Sequence, residues 1–177
     1  METNSNTFKL VFASLMVCFG ILLPFTTAHA FGISGNIFLP MHIPVFLCGF
    51  LCGPLLGGIC GLILPILNSV LTGMPVLFPM AILMTAELFA YGFLSGLLFK
   101  ILKSKSKIIN IYISLIVSMM IGRVISGFVA WLIMFISSKQ ISFSVIASLI
   151  KGIPGIIVQL IVIPLLVSVI QKPKFKQ

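Results

Sequence analysis

Acidic residues are almost missing from this chain: there is no Asp, and Glu2 and Glu87 are the only acids in 177 residues. Charged residues of both signs make up 7% of the sequence against 60% hydrophobic, and the mean hydropathy is +1.30. A soluble domain carries roughly a quarter charged residues. A chain this poor in charge cannot cover a water-facing surface, which places it in the membrane class. The lack of Asp excludes an aspartyl pair, and two histidines, His29 and His42, do not make a metal cluster. There is no Walker motif, no His-Glu-x-x-His and no serine nucleophile elbow. The chain is therefore expected not to be an enzyme and to hold no cofactor and no metal. No Cys-x-x-Cys is present; Cys18, Cys48, Cys52 and Cys60 all lie in apolar runs and read as small helix-packing residues.

What the chain does have is long apolar runs. A membrane span needs about 20 apolar residues, so this length predicts an all-α integral membrane protein: a single compact bundle of six transmembrane helices over residues 1–177. The predicted spans cover about 8–25, 39–52, 54–71, 78–98, 108–136 and 141–170. No room is left for a nucleotide-binding domain. The first span ends in Ala28-His29-Ala30, which resembles a signal-peptidase site, but its apolar stretch is long for a signal peptide and is read as retained. Leu15-Met16-Val17-Cys18 resembles a lipobox except for the bulk of Val17. Gly53-Pro54 marks the turn between spans two and three, and Gly53, Gly57 and Gly61 form a small-residue stripe for close helix packing. Gly152, Pro154, Gly155 and Pro164 offer break points in span six.

The net charge of +9 is placed as a topology signal, not as a nucleic-acid patch. Lys100, Lys103, Lys105 and Lys107 share one loop, and Lys172, Lys174 and Lys176 share the tail. With six spans these lysines and Lys9 fall on one side, against Lys139 on the other. The positive-inside rule then predicts that both termini are cytoplasmic.

Few polar groups enter the spans. Glu87, Arg123 and Lys151 sit on three consecutive spans at depths of ~14, ~20 and ~15 Å by helical rise. Charges at such depth face one another, a wet cavity or a ligand. A structural Glu87–Arg123 ion pair and a binding pocket are both consistent with this pattern. Tyr91 follows Glu87 by one turn and shares its face. His42 opens span two, Asn36 lies near an outer end, Met74 lies in the third outer loop, and Trp131 is the only Trp, placed as an interfacial anchor or a stacking platform.

These residues carry a family resemblance. Phe38-Leu39-Pro40-Met41-His42-Ile43-Pro44-Val45, Gly49-Phe50-Leu51-Cys52-Gly53-Pro54-Leu55-Leu56-Gly57, Thr72-Gly73-Met74-Pro75 and Gly122-Arg123-Val124-Ile125-Ser126-Gly127 resemble the substrate-binding (S) component of energy-coupling factor (ECF) vitamin transporters. The resemblance implies a multi-pass protein of the cell membrane that captures a vitamin or vitamin precursor outside. Release inward would use a transmembrane coupling subunit and two ATPase subunits. It implies a pocket near the outer face, at positions that include Glu87, Tyr91, Arg123, Trp131, Lys151, Asn36 and Met74, with His42 a further candidate beside them. The family's Ala-x-x-x-Ala docking face on span one is altered here: Ala13 is followed by Val17, and Ser14-x-x-x-Cys18 supplies a small pair instead. Two alternatives stand beside this reading. Met41-His42 is similar to the start of cobalt and nickel S components, although here it is internal. The other alternative is a structural membrane subunit without ligand.

Overall fold

The structure, a computed structural model, describes residues 6–31, 40–102, 106–137 and 145–170, with side chains except at 25, 27–31, 137 and 145–154. Among these residues every regular element is a helix. The helices are α1 (Asn6–Phe31), α2 (His42–Cys52), α3 (Pro54–Thr72), α4 (Ile82–Ile101), α5 (Lys107–Ser137) and α6 (Val145–Ile170). A single π turn, Leu77–Ala81, leads into α4. Among the described residues, four stretches are long and apolar enough to cross a membrane: Asn6–Pro24, Pro54–Thr72, Leu77–Ile101 and Lys107–Ile136. The apolar helix α6 passes through Pro154 and Pro164 without interruption, so the break points expected there are not used. A proline removes one backbone hydrogen bond, and packing in a bundle can offset that loss.

Helix α2 is different in kind. Its 11 residues rise ~16 Å, about half of the ~30 Å hydrocarbon layer. Nine of the 11 are buried, Val45 and Phe46 completely. A short helix that is apolar on all sides belongs in the core of a bundle, and α2 is packed by α1, α3, α4 and α6. Its Pro44 falls in the first turn, where no intrahelical donor is lost.

At the end of α2 the chain turns on Gly53, whose φ of 99° is a conformation that side-chain-bearing residues rarely adopt. Pro54 then opens α3 at a position suited to its fixed φ. Beyond the corner, α2, α3 and α4 meet backbone to backbone. A Cβ at Gly57 would lie 2.5 Å from the Gly92 carbonyl oxygen and 2.6 Å from the Gly49 Cα. One at Gly96 would lie 2.6 Å from the Gly49 carbonyl oxygen, and one at Gly61 would strike the Leu88 carbonyl. Of the stripe read in the sequence, Gly57 and Gly61 pack in this joint, whereas Gly53 makes the corner and has open space around it. Helix α5 lies on α4, and α6 completes the bundle against α2 and α5. Cys48, Cys52 and Cys60 are buried as free thiols in the core, and Cys18 is exposed.

Candidate functional site

The site starts from one residue of α4. Glu87 is buried, and its Oε1 accepts a hydrogen bond of 2.6 Å from the Tyr91 hydroxyl, one helical turn on. The Arg123 Nε of α5 lies 3.2 Å from the same oxygen. One carboxylate thus ties α4 to α5 and fixes both a tyrosine and an arginine.

Tyr91 is held from both sides. Its ring stacks on Phe46 of α2 at 5.1 Å and 19°, with His42 tilted against it at 5.5 Å. On the α5 side, Gly122 gives the ring its space: a Cβ there would lie 2.5 Å from Tyr91 Cδ1. The Gly122-Arg123 pair therefore does two jobs at once, a gap for the ring and a cation beside it.

Tyr91, Arg123 and His42 also line a cavity of about 730 Å³ between α5 and α6. Its polar lining is His42, Tyr91, Arg123 and Gln159, and the remaining lining residues are apolar, among them Ile116, Met119, Val124, Ile156 and Leu160. Glu87 does not line the cavity; it stands behind Arg123 and Tyr91. A pocket of a few hundred Å³ with apolar walls and a few convergent polar groups is the usual form of a small-molecule site.

The sequence candidates divide accordingly. Glu87, Tyr91, Arg123 and His42 come together. Trp131 does not join them: it is 58% exposed on α5, stacked between Phe128 and Phe135 at 6.0 and 5.9 Å. Met74 is 75% exposed in the turn after α3, where Thr72 Oγ1 donates to its carbonyl. Asn36 and the Lys151 side chain lie outside the described residues. On α1, Ala13 is buried in the core and Val17 packs against it, while Ser14 and Cys18 face outward. Gln159 was not among the candidates. Its signal was a lone polar residue inside the apolar run of α6, and it carries no charge to draw notice. Among the described residues, no group of three or more His, Cys, Asp or Glu side chains is arranged to hold a metal ion.

An apolar helical bundle with a mainly apolar cavity is the form of a membrane protein with room for a small molecule. The family model described as "ECF transporter, substrate-specific component" matches residues 8–167. The chain belongs to that family: it is a substrate-binding membrane subunit of an ECF transporter, multi-pass in the cell membrane. No curated protein and no solved structure shows a significant match.

Proposed function

We propose that this subunit captures a vitamin or vitamin precursor from outside in the α5–α6 cavity. It then delivers the ligand inward together with a transmembrane coupling subunit and two ATPase subunits. The observation that carries this reading is a cavity of about 730 Å³ whose mainly apolar lining includes Arg123, Tyr91, His42 and Gln159. A few polar side chains in an apolar lining supply orientation and specificity for a ligand. Lys151 and Asn36 remain candidates for the same site by position in the sequence, and Ala13, Ser14, Val17 and Cys18 for the coupling-subunit contact.

The test is calorimetric titration of the purified protein with B vitamins and their precursors: pantothenate, pyridoxine-type compounds, pyrimidine precursors, riboflavin and cobalamin precursors. Tight one-to-one binding of a single compound is expected. A folded protein that binds none of them would count against the reading and bring forward a structural subunit whose Glu87–Arg123 pair only closes the bundle.

A further inference from the structure

We infer that the turn between α3 and α4, residues 73–81, is embedded in the bilayer, with its apolar side chains entering the lipid at the boundary between headgroups and acyl chains. The partner of this surface is lipid, on the membrane face opposite the lysine loop at 100–107. The inference is independent of which ligand the cavity takes.

Composition sets the problem. There is no Asp, Glu, Lys or Arg between Lys9 and Glu87. The turn reads Gly73-Met74-Pro75-Val76-Leu77-Phe78-Pro79-Met80-Ala81, without a hydroxyl, amide or charged side chain. Met74, Val76, Leu77 and Phe78 are 75%, 61%, 56% and 52% exposed. A contiguous apolar patch of this kind marks a contact with lipid or protein, whereas apolar residues scattered singly do not. At the far end of α4 the contrast is complete: Lys100, Lys103, Lys105 and Lys107 share one stretch.

Helix length sets the depth. The 19 residues of α3 rise ~28 Å, close to the ~30 Å hydrocarbon layer. From Lys100 back to Ile82, α4 rises ~27 Å. Both helices thus deliver the turn to the edge of the hydrocarbon, short of bulk water.

The backbone meets the demands of that depth. An irregular segment beside hydrocarbon has little water for its amides and must satisfy them internally. Pro75 and Pro79 carry no N–H. The Gly73 N–H donates to the Ser69 carbonyl, the Met74 N–H to Thr72 Oγ1 and the Ala81 N–H to the Val76 carbonyl, at 3.0, 3.3 and 3.0 Å.

Continuity identifies lipid as the occupant. The patch runs on into Ile66, Val70 and Leu71 of α3 and Ile82 of α4, all exposed on stretches able to cross the membrane. None of these residues lines the α5–α6 cavity. A surface that faces acyl chains on both helices keeps the same solvent over the turn that joins them. An anchored turn also fixes the depth of α4, and with it Glu87 and Tyr91.

The test uses the full chain in lipid nanodiscs, with Trp131→Phe removing the one native Trp. Phe78→Trp and Met74→Trp, each in that background, then report from the turn alone. Both positions are exposed, so neither ring has to displace a buried neighbour. Emission is read in plain lipid, in lipid brominated near the glycerol end of its chains, and in plain lipid with iodide in the buffer. The expected result is emission at shorter wavelength than for Trp in water, loss of most of it to the brominated lipid, and little loss to iodide. Stronger quenching by iodide than by brominated lipid would put the turn in water and overturn the inference. Short-wavelength emission that neither agent quenches would mean a turn covered by protein, its own or a second copy, and overturns it equally. The helical spectrum checks each variant's fold, and the second position answers if the first disturbs it.

Discussion

At the scale of single residues, Glu87 holds the site without lining it. Its carboxylate is shared by Tyr91 and Arg123, so truncation of one partner strands another in an apolar surround. Glu87→Ala leaves the Arg123 charge uncompensated and is expected to cost about 3–5 kcal/mol, measured as a fall in melting temperature in detergent. Tyr91→Phe removes a single 2.6 Å hydrogen bond to a charged acceptor and is expected to cost about 1.5–3 kcal/mol. Arg123→Gln strands the Glu87 carboxylate in turn and is expected to cost about 3–5 kcal/mol in the same melt, and to weaken vitamin binding in calorimetry. The charged pair was legible in the sequence, because charges in apolar runs are rare and must meet. Gln159 was not, because an uncharged polar residue in such a run does not announce which face it occupies. Trp131 had two readings in the sequence, and only its position on the outer side of α5, among exposed aromatic rings, separates it from the cavity.

At the scale of elements, apolar runs and their Pro and Gly breaks marked where helices lie, but not how deeply each is buried in the bundle. Helix α2 shows why. Its residues are as apolar as those of a span, yet it is 11 residues long and buried on nearly every side. Composition does not distinguish a surround of lipid from a surround of protein. The Gly53 corner was legible from the Gly-Pro pair, and half of the glycine joint from the spacing of Gly57 and Gly61. The other half, Gly92 and Gly96 on α4, needed the pairing of helices to be known. A Cβ at Gly92 strikes the Gly57 carbonyl, which is backbone and cannot swing away. Gly92→Ala is therefore expected to destabilise by about 1–3 kcal/mol or more through overpacking. Gly53→Ala meets no atom within 4 Å but must hold φ at 99°, so a strain cost of order 1–2 kcal/mol is expected. Thermal melts of the two variants side by side check the contrast.

At the scale of the whole molecule, the lysine distribution predicts which side of the membrane each loop faces. In a cysteine-free background, Ser104→Cys is expected to be shielded from a membrane-impermeant maleimide added to intact cells, and Ser138→Cys to be labelled. Labelling of Ser104→Cys instead would reverse the orientation.

The glycine joint also bears on how the bundle moves. Helices that touch through side chains slide by exchanging rotamers, but α2, α3 and α4 touch through main-chain atoms and have no such give. They form a chassis, and the cavity lies along its flank, bounded on the far side by α6. A change of cavity volume as ligand comes and goes is then expected to be carried by α5 and α6 against the chassis. Amide hydrogen exchange would show this as slow, ligand-independent protection over 45–61 and 85–96, with ligand-dependent protection over 155–170.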